Sequence, residues 1–222
     1  MAKLILLRHG QSAWNKENVF TGWIDIPLSK EGIAESIEAG KKIKDIPMDV
    51  IYTSSLVRSQ TTVFLAMTES SFGRVPCVQH DVKEPFSEWY QRGGEGKNLI
   101  PLYTALELNE RMYGDLQGKN KEEMRKEYGE EQVQLWRRSF DIDPPRGESL
   151  AKTAKRSIPF FTQVIVPKLA DGKNVLVCAH GNSLRSIVMH IEKLSKDEVL
   201  HLEIATGEVK IYDYKEGAFF SV

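Results

Sequence analysis

Two histidines stand at the ends of two apolar runs taken from opposite parts of the chain. Lys3-Leu4-Ile5-Leu6-Leu7 leads into Arg8-His9-Gly10, and Asn174-Val175-Leu176-Val177-Cys178-Ala179 leads into His180-Gly181-Asn182. A neutral imidazole is an efficient nucleophile, and an unperturbed pKa of ~6.5 leaves it mostly neutral at pH 7. Once phosphorylated it would carry about −1.5 to −2 charge, by analogy with phosphorylated hydroxyls, and would need cationic support. Arg8 offers a planar, permanently charged fork for that purpose. A nucleophilic His, a second His and an Arg therefore suit phosphoryl transfer, with His180 placed to stabilise the moving oxygens. By itself Arg8-His9-Gly10 reads equally well as a strand-to-loop turn. The matching His180-Gly181-Asn182, which leads into a helix N-terminus favourable to anions, tips that balance.

Further candidates surround these two motifs. Ser12, Asn15 and the Thr21-Gly22 turn offer neutral donors. Arg58 follows Tyr52-Thr53-Ser54-Ser55-Leu56-Val57 and is expected at the same edge. Glu110-Arg111-Met112-Tyr113 places a carboxylate, a cation and a phenol within one short run, and Glu110 held near a hydroxyl can shuttle its proton. Lys121 and the pair Arg137-Arg138 add cations, although out of context adjacent basic residues read as a solvated helix face.

Those residues need a scaffold that brings strand ends together. Short apolar runs closed by Gly read as buried strands of a parallel sheet, and in open α/β sheets ligands sit at the carboxyl ends of the strands. Strands are expected at Lys3–Leu7, Asp49–Tyr52, Val75–Gln79, Asn174–Ala179 and, as the last one, Val209–Tyr214. Ser29 caps a helix to about Lys44, and Ser54-Ser55 cap one from Leu56 to about Met67. Further helices are expected at Lys121–Tyr128, at Glu130–Arg138, and from Ser149 onward with a kink at Pro159. Leu184, Ile187, Val188 and Ile191 have the spacing of an amphipathic helix after His180, and Ser195-Lys196-Asp197-Glu198 is a capping box. Alternating strands and helices imply a three-layer α/β/α domain with a mostly parallel central sheet, spanning residues 1–222 as a single unit. From Glu84 to Thr104 the pattern breaks down, with Gly93-Gly94-Glu95-Gly96 and Pro101, so a lid-like insertion is expected there. Phe86, Trp89 and Tyr90 are expected to pack beneath it rather than form an interface patch.

The composition is that of an ordinary globular protein. Of 222 residues, 41% are hydrophobic and 27% charged, and 30 Lys and Arg against 31 Asp and Glu give a formal net charge of −1. That balance gives no general pull toward nucleic acid or an anionic membrane, so any anion site must come from local clustering. The two cysteines, Cys77 and Cys178, make no disulfide framework. The short apolar start runs straight into Arg8, unlike a signal peptide, and no run reaches the ~20 apolar residues of a membrane span. A reducing cytoplasmic setting is expected.

The motifs taken together are more specific than any one of them. Leu7-Arg8-His9-Gly10-Gln11-Ser12-Ala13-Trp14-Asn15, Phe20-Thr21-Gly22-Trp23, Leu108-Asn109-Glu110-Arg111-Met112-Tyr113-Gly114, Leu116-Gln117-Gly118, Trp136-Arg137-Arg138, Glu148-Ser149-Leu150 and Ala179-His180-Gly181-Asn182-Ser183-Leu184-Arg185 resemble the 2,3-bisphosphoglycerate-dependent phosphoglycerate mutases of the histidine phosphatase superfamily. The resemblance covers most of the chain. It implies that His9 is the phosphorylated nucleophile, that Glu110 gives and takes the substrate hydroxyl proton, and that His180, Arg8 and Arg58 stabilise the transferring group. It implies that Arg8, Ser12, Asn15, Thr21, Gly22, Arg58, Arg111, Tyr113, Lys121, Arg137, Arg138, Gly181 and Asn182 hold the ligand. It also implies 2,3-bisphosphoglycerate as the priming phosphoryl donor, no metal, small phosphoglycerates as partners, and leaves a homodimer open. The competing readings are a phosphatase using the same phosphohistidine and a bisphosphoglycerate synthase; a non-catalytic phosphate sensor is disfavoured because His9, His180 and Glu110 are all present. Against the family pattern, the stretch between Arg58 and Glu110 is long, that from Arg138 to Glu148 is short, and the end at Val222 leaves out a tail that many members fold over the pocket.

Overall fold

The computed structural model describes residues 1–80 and 98–222. The first apolar run forms strand β1 (Ala2–Arg8), and the second forms β5 (Val175–Ala179), which is buried throughout. They lie side by side and parallel, with Leu4 opposite Val175 and Arg8 opposite Ala179. Strand β2 (Val50–Ser54) pairs with the other side of β5, followed outward by β4 (Leu99–Ala105) and β3 (Val75–Val78), all parallel. On the far side of β1, β6 (Val209–Lys215) and β7 (Ala218–Ser221) add antiparallel strands, so the order is β3-β4-β2-β5-β1-β6-β7.

Side chains alternate across a strand, and both faces of this sheet are apolar. Leu4, Leu6, Val50, Tyr52, Val175 and Val177 face one side, where they meet Phe161, Ile165, Leu169, Leu184, Ile187 and Val188. Ile5, Leu7, Ile51, Leu176 and Cys178 face the other, against Ala39, Ile43, Val63, Ala66 and Met67. The second set lies on helices α2 (Lys30–Ile43) and α3 (Val57–Met67). The first lies on the π-helical turn that follows α6 (Leu150–Phe160), on α7 (Val166–Ala170) and on α8 (Gly181–Glu192). The three-layer α/β/α architecture expected from the strand–helix alternation is the one observed. A third, smaller cluster of Phe20, Leu116, Met124, Val133 and Trp136 anchors α4 (Lys121–Tyr128) and α5 (Glu130–Arg138) above the sheet edge. Short helices α1 (Ala13–Lys16) and α9 (Lys196–His201) and two 3₁₀ turns, Leu106–Leu108 and Gly114–Leu116, complete the described elements.

Several expectations need correction. The irregular stretch expected over 84–104 ends sooner, because Leu99–Ala105 is β4, an interior strand. Pro101 had argued against a strand, since proline has no N–H for the ladder. It is tolerated because the pairing of β4 with β2 begins one residue later, at Leu102 opposite Ile51. Phe86, Trp89 and Tyr90, and the rest of the expected insertion up to residue 97, lie outside the described residues. Ser54 and Ser55 do not cap α3 in the expected way: the helix starts at Val57 behind Leu56, with no side-chain cap. The irregularity expected at Pro159 takes the form of the π-helical turn Phe161–Ile165, next to the position where proline removes a helical hydrogen bond. β6 is not the last strand, because β7 turns back on it.

Candidate active site

Because β1, β5 and β2 are parallel neighbours, their carboxyl ends deliver Arg8-His9, His180 and Ser54 to one edge. The His9 and His180 rings lie 4.8 Å apart, centroid to centroid, tilted by 57°. His9 Nδ1 is 2.6 Å from the Gly10 carbonyl oxygen. A carbonyl only accepts, so Nδ1 carries the proton and Nε2 keeps its lone pair. Burial, then the charges of Arg58 and Arg8, push the His9 pKa well below its ordinary value, and the Gly10 hydrogen bond opposes this only in part. The ring is therefore neutral at pH 7, as a nucleophile must be. The backbone can follow this path because Gly10 passes directly over α2: a Cβ there would stand 2.1 Å from the Gly32 carbonyl oxygen.

His180 is fully buried, and its Nε2 lies 2.7 Å from Ser54 Oγ. Ser54 Oγ in turn meets Ser59 Oγ at 2.5 Å and accepts from Leu56 N. Ser59 Oγ itself donates to the Leu56 carbonyl at 3.0 Å, and His180 Nδ1 has no hydrogen-bond partner among the described residues. Burial, followed by Arg58, His9, Arg8 and Arg156, lowers the His180 pKa well below its ordinary value.

Glu110 comes from the irregular chain after β4. Its Oε1 accepts from Arg111 N at 2.8 Å, Asn182 N at 3.1 Å and Asn182 Nδ2 at 3.0 Å. Of the two α8 residues that the sequence had assigned to the ligand, Gly181 and Asn182, the second thus has its amide occupied by a carboxylate of the protein itself. Arg58 is held rigidly, donating to the carbonyls of Ile24 and Gly22. Gly22 reaches it through a left-handed backbone, φ 56°. Burial brings Arg58 down to about 10, opposed by Glu110 and Asp25, so it stays charged at neutral pH.

These groups border a cavity of about 320 Å³. Of the residues singled out in the sequence, Arg8, His9, Asn15, Thr21, Gly22, Arg58, Glu110, Tyr113, Lys121, Arg137, Arg138, Gly181 and Asn182 line it. Three do not. His180 touches it through His9. Arg111 is fully buried and donates to Tyr113 Oη and the Arg137 carbonyl, both on lining residues. Ser12 is spent locally, its hydroxyl accepting from Asn15 N as the cap of α1, while Asn15 Oδ1 accepts from Ser12 N. Sequence reasoning missed Arg185 and the segment Leu202–Glu208. Arg185 lies on α8, one turn past Asn182, and donates to Asn182 Oδ1. The following segment enters the wall because the Ile204 carbonyl accepts from Arg8 Nη1 at 2.5 Å. Arg185 could have been found by its helical spacing from Asn182; nothing local marks 202–208.

The chemistry of the cavity is that of an anion site. Among the described residues the lining holds six cations, Arg8, Arg58, Lys121, Arg137, Arg138 and Arg185, against three carboxylates, Glu110, Glu203 and Glu208. Of the lining groups, Arg8 Nε, Arg185 Nε and Thr21 Oγ1 are buried without partners among the described residues. Unpaired buried donors are costly, and a ligand rich in anionic oxygens would satisfy them. Lys121 shows the strain of this crowding: burial, then Arg137, Arg8 and Arg125, lower its pKa to about 8.

Comparison with known proteins agrees with this geometry. The family model of the histidine phosphatase superfamily (branch 1) matches residues 4–98 and 88–222. The 2,3-bisphosphoglycerate-dependent phosphoglycerate mutase of Protochlamydia amoebophila (strain UWE25) is 55% identical over 222 residues, covering 99% of this chain and 98% of that protein. The protein of the same name from Chlamydia felis (strain Fe/C-56) is 57% identical over 214 residues, covering 96% and 93%. Among solved structures, Bacillus stearothermophilus YhfR superposes with a TM-score of 0.77 at 24% identity, covering 100% of this chain and 96% of that one. Mycobacterial hydrolase 1 superposes with a TM-score of 0.75 at 18% identity, covering 100% and 97%, and like the former attests the fold alone. The paired strand-end histidines, the cationic cavity and near full-length identity above one half lead to one assignment: the chain belongs to the histidine phosphatase superfamily and, within it, to the 2,3-bisphosphoglycerate-dependent phosphoglycerate mutases.

Proposed function

We propose that this chain interconverts 3-phosphoglycerate and 2-phosphoglycerate through a phosphohistidine at His9. The observation that carries this reading is a neutral His9 with Nε2 available, beside Glu110, in a cavity walled by cations. 2,3-Bisphosphoglycerate supplies the phosphoryl group that charges Nε2. Lys121, Arg137, Arg138 and Tyr113 hold the carboxylate and the resident phosphate of the substrate. Glu110 takes the proton of the free hydroxyl, and that oxygen attacks phosphorus in line. The P–N bond breaks, and its electron pair returns to Nε2. Arg8, Arg58 and His180 stabilise the charge spread over the equatorial oxygens, so most of the rate comes from fixed positive groups. After the bound diacid reorients, Nε2 attacks its other phosphoryl group and Glu110 returns the proton to the departing oxygen.

Six lining cations suit a small acid carrying both carboxylate and phosphate better than a simple monoester, which favours the mutase over a general phosphatase. The setting we infer is cytoplasmic, in keeping with two free cysteines, Cys77 and Cys178. Among the described residues no helix is long and apolar enough to cross a membrane. The test is a coupled assay of 3-phosphoglycerate conversion with and without 2,3-bisphosphoglycerate priming, on the wild type and on His9→Ala. Priming should stimulate the wild type, and the variant should have no turnover with its fold intact. Mutase activity retained by His9→Ala would refute the assignment.

A further inference from the structure

The chain from Leu106 to Tyr113, which presents Glu110, belongs to no sheet ladder, so its carbonyls must find partners elsewhere. One side chain gathers them. Arg156, in the middle of α6, donates from Nη1 to the carbonyls of Leu106 (3.3 Å), Glu107 (2.8 Å) and Asn109 (2.9 Å), and from Nη2 to that of Glu110 itself (2.9 Å). Its remaining donors pair with Glu148, Nε with Oε1 at 3.1 Å and Nη2 with Oε2 at 2.9 Å. Glu148 closes the ring, because its Oε2 accepts from Met112 N at 3.1 Å and its backbone N–H donates to the Met112 carbonyl. Trp23 Nε1 gives the Glu110 carbonyl a second donor at 2.5 Å, and the Arg156 guanidinium lies 5.5 Å from the centre of the Trp23 ring. Arg156 lines no part of the cavity.

We propose that Arg156, buttressed by Glu148 and Trp23, is a positioning residue that sets the placement of the Glu110 carboxylate for proton transfer. The inference rests on the role of Glu110 given above. A planar fork of five donors is what this arrangement uses; a lysine ammonium has three and no plane, so it keeps the charge without the geometry. Misplacing a reacting group by about 1 Å costs on the order of 10²-fold in rate. The loss should fall on the step that needs Glu110 and not on ligand binding, because the cations of the cavity are untouched.

The test compares Arg156→Lys and Trp23→Phe with the wild type, using primed mutase turnover of 3-phosphoglycerate and phenolate release from p-nitrophenyl phosphate. A nitrophenolate leaves without being protonated, so the first-turnover burst of its release, which phosphorylates His9 and is the signal read, needs His9 but not Glu110. Arg156→Lys should lower mutase kcat by about 10²-fold with KM nearly unchanged, displace the pH profile of kcat, and retain the phenolate burst. Trp23→Phe keeps the ring and removes one donor, so it should show the same pattern to a smaller degree, and it carries the test should Arg156→Lys not fold. Equal losses in mutase turnover and in the phenolate burst, or a pH profile superimposable on that of the wild type, would overturn the proposal. A wild type with no mutase turnover would instead remove the role of Glu110 on which it depends, before any variant is compared.

Discussion

His180 Nε2 and Ser54 Oγ meet at 2.7 Å, joining the carboxyl ends of β5 and β2 by a hydrogen bond between buried groups. Ser54 thereby holds the His180 ring in place, with Nδ1 free of any partner among the described residues. The same serine was expected to cap α3, and its hydroxyl does accept from Leu56 N, but its second partner is the catalytic candidate. A residue that looks like a local punctuation mark therefore also orients a ring from another part of the chain.

Ser54→Ala should consequently impair chemistry more than binding. Losing a charge-stabilising group outright costs about 10²–10³ in kcat; loosening the orientation of the His180 ring should cost about tenfold or more, within that bound. Stopped-flow transfer from phosphorylated enzyme to 3-phosphoglycerate would measure it. A raised KM with unchanged kcat would mean that Ser54 serves packing alone.

Stability should fall in mild acid. His9 and His180 both have pKa values well below the ordinary one in the folded chain, chiefly through burial. Once unfolded they titrate near ~6.5. Below that value the unfolded chain binds protons that the folded chain refuses, so unfolding is favoured as pH falls, and the contribution is complete only above it. Each histidine adds a slope of at most about 1.4 kcal/mol per pH unit. Urea midpoints between pH 5 and 7.5 would show the effect, and His180→Gln should flatten it. An unchanged slope in that variant would place the acid sensitivity elsewhere.

Activity should fall on the alkaline side as well. Lys121, with its pKa brought down to about 8, loses its charge as pH rises through that value, and the cavity loses one of its cations. In the unliganded enzyme this should appear as a descending limb of kcat/KM above about pH 8, approaching tenfold per unit for a single group. Lys121→Arg stays charged and should abolish the limb while preserving activity near neutrality. A limb that persists in Lys121→Arg would belong to another group.

Much of the site was legible before any coordinates. Apolar runs ending in Arg8-His9-Gly10 and His180-Gly181-Asn182 marked β1 and β5, because burial on both faces of a parallel sheet leaves a continuous apolar signature. The spacing of Leu184, Ile187 and Val188 marked α8 for the same kind of reason. Motif chemistry also named most residues of the cavity wall. Strand β4 was hidden because Pro101 carries a local signal against strands, which is overruled by where pairing with β2 happens to begin.

The remainder depended on contacts between distant segments. No local pattern shows that Ile204 will accept from Arg8, that Asn182 will spend its amide on Glu110 instead of on a ligand, or that Arg156 will collect the carbonyls leading to Glu110. Periodicity and composition report on neighbours along the chain, and so they determine which elements form and which chemistry is at hand. Which donor reaches which acceptor is decided only when the sheet is assembled, since each of these bonds joins groups whose separation is set by packing and not by sequence.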